Sequence, residues 1–128
     1  MSFFNKLFGE GETTNHSSKV NWIALNSINQ LDEITDLSKE KTVLIFKHST
    51  RCSISRMVLK QFENQFVFQD KIVTYFLNLL EYRDNSNEIA TRFNVVHQSP
   101  QMIVIKDGLT ICNASHESIN ANDLEDFI

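Results

Sequence analysis

Cys52 is the side chain of this sequence with the clearest capacity for chemistry, because a cysteine thiolate is a strong nucleophile. Residues 42–62 contain no aspartate or glutamate, so no acidic side chain lies close to Cys52 in the sequence. Positive neighbours favour the thiolate over the thiol. A buried packing cysteine is the alternative, and the basic surroundings favour the nucleophile. Four basic residues lie within five positions of Cys52: Lys47, His48, Arg51 and Arg56.

The residues around Cys52 predict a strand, a turn and a helix. Thr42–Phe46 is apolar and rich in β-branched side chains, which is typical of a strand buried on both faces of a sheet. Polarity begins at Lys47 and is followed by a helical spacing of apolar residues, which predicts a helix packed on that sheet. The predicted inward-facing residues are Ile54, Val58, Phe62 and Phe66, with Met57 and Leu59 at the margins.

The predicted helix start bears directly on the thiol. Ser49 or Thr50 has a hydroxyl suited to an N-cap, which would place Cys52 in the first helical turn. The unpaired N–H groups and the positive end of the helix dipole would then surround the sulfur atom. This setting also favours the thiolate form.

The composition predicts one globular domain. The chain has 128 residues, 41% of them hydrophobic, which is enough for one core. Its formal net charge of −4 gives no support for nucleic-acid binding. Residues 1–19 are predicted to be a short amphipathic segment (Phe3–Phe8) and a flexible linker, and residues 20–128 the folded domain. Without an export signal or a long apolar span, we expect a cytoplasmic protein with no integral membrane association.

The remaining elements alternate and then close with a hairpin. The predicted order is βαβαβαββα, which indicates an α/β fold with a mixed central sheet and helices on both faces. Asp107-Gly108 is a typical hairpin turn, and Asn120 or Asn122 is expected to cap a last helix with Leu124, Phe127 and Ile128 facing inward. The other predicted elements are strands at 22–25, 42–50, 72–80, 101–106 and 109–114, and helices beginning near Ser27, Cys52 and Asn85.

Pro100 is the only proline and directly precedes a predicted buried strand. A proline at that position either begins the strand or follows a cis peptide bond. Because only about one X–Pro bond in twenty is cis, position alone does not justify the cis alternative.

These residues together resemble a known family. The element order, with a cysteine after the second strand and a proline before the hairpin, resembles the thioredoxin fold, whose proline is cis and lies beside the active-site thiol. More narrowly, the chain from about Trp22 to Leu124 resembles the YtxJ-like monothiol bacilliredoxins. The segments that carry this resemblance are Thr50–Ser55 (TRCSIS), Ser99-Pro100-Gln101 before MIVIKDG, and Ala114-Ser115-His116.

The resemblance implies a thiol-disulfide oxidoreductase that removes bacillithiol from mixed disulfides on proteins. Cys52 matches the family's nucleophile, and Ser55 stands where a dithiol enzyme has its resolving cysteine. A low-molecular-weight thiol, with bacillithiol as the expected co-substrate, would then regenerate the enzyme. Thr50, Arg51, Ser55 and Arg56 are expected to assist the thiol, and Lys47, Arg51 or Arg56 to attract the anionic malate group. Ser99, Pro100 and Gln101 are expected to bind the substrate segment.

Two other functions remain open. Cys52 and Arg56 also match the pattern of glutaredoxin-like arsenate reductases, in which an arginine stabilises the attacking thiolate. A non-catalytic thioredoxin-like adaptor is the second alternative, with Phe3–Phe8 as its binding element. Cys112 lies on the predicted edge strand and is interpreted as a packing residue, and no cysteine or histidine spacing predicts a metal site.

Overall fold

The computed structural model describes residues 20–128, so the predictions for residues 1–19 lie outside the described residues. The predicted order of elements is confirmed, except that the last helix is a 3-10 segment rather than an α-helix. The strands are β1 (Ile23–Ala24), β2 (Thr42–His48), β3 (Ile72–Asn78), β4 (Gln101–Lys106) and β5 (Leu109–Ser115). The helices are α1 (Asn29–Leu37), α2 (Ser53–Gln65) and α3 (Arg83–Arg92), followed by 3-10 segments at His116–Ser118 and Ala121–Phe127.

The five strands form one mixed sheet in the order β1-β3-β2-β4-β5. β1, β3 and β2 are parallel, whereas β4 is antiparallel to both β2 and β5. All seven residues of β2 are buried, as its apolar sequence predicts for a central strand. The carboxyl ends of β2, β3 and β5 therefore lie at the same end of the sheet as the amino end of β4. The turn that carries Cys52 begins at this end.

The side chains of β2 divide between two hydrophobic cores because successive residues of a strand point to opposite faces. Leu44 and Phe46 pack on the face covered by α2 and the carboxyl-terminal segment. Val43 and Ile45 pack on the other face, against residues of α1 and α3. Helices on both faces of a mixed sheet are thus confirmed.

The inward face of α2 differs from the predicted one. Ile54 is 37% exposed and Met57 is 48% exposed, whereas Ser55, Val58 and Phe62 are buried. These three are spaced by three and four residues, which is one continuous helical face. The helix begins at Ser53, and Ser55 occupies the first inward-facing position. The predicted inward position of Ile54 is therefore wrong.

The carboxyl-terminal segment confirms the predicted turn and cap but not the predicted helix type. Asp107 and Gly108 have φ angles of 53° and 76°, as a tight hairpin turn requires. The side chain of Asn120 accepts a hydrogen bond from the backbone N–H of Asn122. Because a 3-10 helix repeats every three residues, Ala121, Leu124 and Phe127 share the inward face. Ile128 falls outside that repeat and is 47% exposed, so its predicted inward position is wrong.

Candidate active site

Cys52 lies at the start of α2 but outside the first helical turn. Its φ and ψ of −104° and 119° are extended, so Cys52 is itself the N-cap and no side chain makes a capping hydrogen bond. The predicted cap at Ser49 or Thr50 is therefore wrong. The reason is the preceding turn, in which the Cys52 N–H donates to the Ser49 carbonyl at 3.2 Å. Cys52 is half-buried, and as the N-cap it directly precedes the N–H groups that begin the helix.

Ser55 lies one helical turn beyond Cys52, and its hydroxyl is committed to neighbouring groups. It is fully buried, and its Oγ accepts from the Ser49 N–H at 3.1 Å and lies 2.8 Å from Nδ1 of His48. Burial lowers the pKa of His48, the Arg56 charge lowers it further, and Glu63 opposes both. A hydrogen bond therefore joins Ser55 Oγ and His48 Nδ1, with its direction set by the tautomer of the ring, and the Ser55 hydroxyl is engaged by both His48 and Ser49.

The two arginines beside Cys52 have different surroundings. Nη1 of Arg56 donates to the Thr50 carbonyl at 2.8 Å, which closes the turn ahead of the helix. Arg51 is exposed on the same turn. Arg51 directly precedes Cys52 in the chain, and the contact of Arg56 makes Thr50 part of the same turn. Four of the predicted site residues are thus brought together with Cys52: Thr50, Arg51, Ser55 and Arg56.

Lys47 is not available to attract a substrate, contrary to the sequence-based expectation. It is fully buried within β2 and points to the face opposite Phe46. Its Nζ donates to Nδ1 of His97 at 3.2 Å, and Ser86 Oγ lies 3.1 Å from the same nitrogen. Burial lowers the pKa of Lys47 to about 8. The pKa of His97 is lowered by burial and then by the charges of Lys47 and Arg83.

The predicted substrate segment lies at the same end of the sheet. The Ser99–Pro100 peptide bond is cis, as the resemblance implies. Lys47 pairs with Gln101 across β2 and β4, so Pro100 lies one residue beyond that pair, level with the end of β2. Pro100 is buried, and Ser99 Oγ is one of two buried side-chain atoms without a hydrogen-bond partner in the described part of the chain.

Gln101 and His116 hold the cis-proline segment from two sides. Gln101 is fully buried, and its Nε2 donates to the Val96 carbonyl at 3.0 Å. The backbone N–H of His116 donates to the Pro100 carbonyl at 3.1 Å. His116 has a φ of 53°, an uncommon conformation outside glycine that is found more often near functional sites. The Gln101 side chain therefore supports this segment from the protein interior. The sequence analysis expected Gln101 to bind the substrate segment itself.

Sequence reasoning missed the contact of Lys47 with His97 and Ser86 and the contact of His48 with Ser55. A signal for Lys47 was present, because a lysine extends an otherwise apolar central strand. No local pattern shows its partner, since His97 lies fifty positions away in the sequence.

Cys112 lies on the edge strand β5, as predicted, and packs against the core on the α2 side of the sheet. Burial raises the pKa of its thiol, and the charge of Asp123 raises it further. These surroundings favour the protonated form, which suits a packing residue better than an attacking thiolate.

The described residues show neither a metal site nor a membrane span. Among residues 20–128, no group of three or more histidine, cysteine, aspartate or glutamate side chains is arranged to hold a metal ion. None of the helices in this range is both long enough and apolar enough to cross a membrane.

Solved structures of redox proteins share this architecture. A protein described provisionally as an oxidoreductase with a thioredoxin fold is 33% identical to this chain, with a TM-score of 0.70 over 82% of this chain and 91% of that one. Thioredoxin from Malassezia sympodialis is 18% identical, with a TM-score of 0.66 over 89% and 93% of the two chains. Thioredoxin NaTrxh from Nicotiana alata is also 18% identical, with a TM-score of 0.66 over 90% and 96%. The fold and the cysteine at the start of α2 define a thiol-disulfide oxidoreductase of the thioredoxin fold.

The family within that class follows from the sequence. Residues 23–124 match the profile of the family described as monothiol bacilliredoxin BrxC. This range is most of the chain, and the chain therefore belongs to the monothiol bacilliredoxin family. The resemblance inferred from three short segments is confirmed.

The buried cation predicts an unusual pH dependence of stability. In the unfolded chain Lys47 keeps its proton up to its ordinary pKa of 10.5, whereas in the folded protein it loses the proton near 8. Between these two pH values the unfolded state binds more protons than the folded state. The contribution of Lys47 to the free energy of unfolding therefore rises with pH. Relative to Lys47→Met, the free energy of unfolding of the wild type should rise by about 2–3 kcal/mol between about pH 7 and about pH 10.

Urea denaturation of both proteins at the two pH values measures this gain, because groups common to both cancel. Lys60→Met, which removes an exposed lysine of α2, is the matched control and should show no such gain. A constant difference between wild type and Lys47→Met across this range would contradict the lowered pKa.

Proposed function

We propose that this protein removes bacillithiol from mixed disulfides on proteins, with Cys52 as the single catalytic thiol. The observation that carries the proposal is the state of Ser55. It stands where a second thiol would act, and its buried hydroxyl is bonded to His48 and Ser49. The chain therefore offers one thiol at the start of α2, which is what exchange with a small thiol requires.

The reaction consists of two thiol-disulfide exchanges. The Cys52 thiolate attacks the bacillithiol sulfur, a Cys52–bacillithiol disulfide forms, the original S–S bond breaks, and the protein substrate leaves as its thiolate. A second bacillithiol thiolate attacks the bacillithiol sulfur on Cys52. This step forms bacillithiol disulfide and returns Cys52 as a thiolate. The oxidised product is bacillithiol disulfide, which a separate reductase must consume.

Two surfaces at this end of the sheet are proposed to bind the two halves of the substrate. The backbone of Ser99, beside Pro100, would pair with an extended segment of the protein substrate in the manner of strand addition. The guanidinium groups of Arg51 and Arg56 would attract the malate carboxylates of bacillithiol. Arg51 is the more available of the two, because Arg56 already donates to the Thr50 carbonyl.

The direct test uses a protein capped with bacillithiol through a mixed disulfide. Purified enzyme with added bacillithiol should release the free protein thiol, and mass spectrometry should find bacillithiol on Cys52 when the resolving thiol is withheld. The same protein capped with glutathione is the comparison. Release without any adduct on Cys52, or no release of bacillithiol, would reject the proposal.

Replacing Arg51 tests how the small thiol is recognised. Arg51→Met should raise the half-saturating bacillithiol concentration in the second exchange about two- to fivefold, since an exposed charge pair contributes up to about 1 kcal/mol. Lys71→Met is the matched control, because Lys71 is exposed just before β3 at the opposite end of the sheet. The uncharged thiol 2-mercaptoethanol should show no difference. An equal effect on both thiols would mean that Arg51 does not recognise charge.

The two alternative functions predict different results. An arsenate reductase needs the Arg56 guanidinium at the thiol, whereas here it donates to a backbone carbonyl, which favours the disulfide substrate. Arsenate consumption by the wild type would reverse this preference. A non-catalytic adaptor would leave Cys52 unmodified by the capped protein.

The proposal also retains the cytoplasm as the location, a folded domain at residues 20–128, and residues 1–19 as a separate segment.

A further inference from the structure

Lys47 is a buried cation whose hydrogen-bond partner is a neutral group. It has no exposed surface, and the described residues include no carboxylate in an ion pair with it. Its contact is Nδ1 of His97, and burial lowers the pKa of Lys47 to about 8. Burying a charge without an opposite charge destabilises a fold. A methionine would fill a similar volume without that cost, so stability alone does not explain the lysine.

The partner of Lys47 belongs to the loop that leads to the cis proline. His97 lies three residues before Pro100, and its Nδ1 accepts from Lys47 Nζ of β2 at 3.2 Å, with Ser86 Oγ of α3 3.1 Å from the same nitrogen. The loop therefore joins β4 to the central strand and to α3 through one imidazole ring.

A second buried side chain holds the same loop. Gln101 Nε2 donates to the Val96 carbonyl at 3.0 Å, and the Gln98 N–H donates to Gln101 Oε1 at 3.4 Å. Gln101 is also the cross-strand partner of Lys47. Lys47 and Gln101 are thus buried neighbours on paired strands, and their side chains bond to residues 96–98. These residues lie immediately before the Ser99–Pro100 bond.

We propose that Lys47 is a positioning residue that acts through His97 to hold residues 96–100 in the shape that docks the polypeptide backbone of a disulfide substrate. The inference deepens the proposed function and rests on it for the identity of the substrate. Strand addition requires the N–H and C=O groups of the docking segment at ladder spacing before the substrate arrives. A loop that is already ordered avoids the entropy of ordering on binding. The charge on Lys47 strengthens its hydrogen bond to His97 relative to that of a neutral donor, which suits this task better than a neutral side chain.

The test compares two disulfides that carry the same cap. One is a cysteine peptide joined to 2-mercaptoethanol through a disulfide, and the other is bis(2-hydroxyethyl) disulfide, which has no peptide backbone. Reduced enzyme is mixed with each, and the rate of thiol release is measured in a single turnover at increasing disulfide concentration. This design separates binding from chemistry and does not depend on bacillithiol.

Lys47→Met should raise the half-saturating concentration of the peptide disulfide about tenfold, with a smaller change in the limiting rate. The rate with bis(2-hydroxyethyl) disulfide should stay within about twofold, because that molecule has no backbone to dock. His97→Leu should have the same effect, and the double variant should be no worse than either single one, since both remove one contact.

Val43→Ala is the matched control. Val43 is a fully buried residue of the same strand and the same face as Lys47, near the other end of β2. This variant loses stability without touching the loop, so the two disulfides should react in their wild-type ratio. Equal losses on both disulfides in Lys47→Met, additive losses in the double variant, or an unchanged peptide reaction would overturn the inference. If the peptide disulfide behaves as expected but bacillithiol is not removed from proteins, the proposed function fails and the positioning role stands.

Discussion

Cys52→Ser should lower the turnover of a bacillithiol-capped protein by at least about a thousandfold, because removing a nucleophile removes the covalent route altogether. The serine hydroxyl has nearly the same shape but is not ionised near neutral pH, and the neighbouring Ser55 hydroxyl is occupied by His48. The measurement is release of the free protein thiol in the presence of added bacillithiol. Circular dichroism on the same sample shows whether the variant is folded.

Cys112→Ser is the matched control for this experiment. Cys112 is the other cysteine of the chain, it lies on the edge strand β5, and burial raises the pKa of its thiol. Activity within about twofold of wild type is expected, since a packing residue acts only through stability. Loss of turnover in Cys112→Ser with a folded protein would contradict the monothiol mechanism, and Cys112 would then be the resolving thiol.

Phe46→Ala should lower the free energy of unfolding by about 3–5 kcal/mol, because the phenyl ring is deleted from the centre of a packed core. Phe46 is fully buried. Its ring centroid lies 5.8 Å from that of Trp22, 5.5 Å from that of Phe62 and 6.4 Å from that of Phe76. The loss combines the transfer free energy of the ring with the cavity that its neighbours leave, and urea denaturation measures it.

Val67→Ala is the control for this loss, because Val67 is 69% exposed and its truncation should change stability by less than about 0.5 kcal/mol. Phe46→Leu gives a measurable value if Phe46→Ala does not fold. A loss below about 1 kcal/mol in Phe46→Ala would mean that the four aromatic rings do not form one packed unit.

Much of the fold could be predicted because it depends on local pattern. The unbroken apolar run of β2 and the Asp107-Gly108 turn carry their structural meaning in adjacent residues, and both are confirmed. The order of the elements could be predicted from such local patterns, taken one after another along the chain. The resemblance to bacilliredoxins also depended on short contiguous segments around Cys52 and Pro100, and the match over residues 23–124 confirms it.

The predictions that are wrong concern how elements face one another. Ile54 was expected inside because apolar residues usually face the core, yet α2 turns Ser55 inward to meet His48. Ile128 was assigned by α-helical spacing, whereas the segment is a 3-10 helix. Lys47 was expected to attract an anion because lysine is usually exposed, and its place in the central strand buries it.

The sequence by itself determined the candidate nucleophile, the order of the elements and the family, because each of these depends on residue types that are adjacent in the chain. Only the tertiary structure decided what surrounds Cys52. It set the helix start at Cys52, the commitment of Ser55 to His48 and the contact of Lys47 with His97. These features depend on which buried polar groups find partners once the strands, α2 and α3 are packed. That pairing is invisible in a sequence because the partner of a buried polar group is set by the packing of elements that lie far apart in the chain, as Lys47 and His97 do.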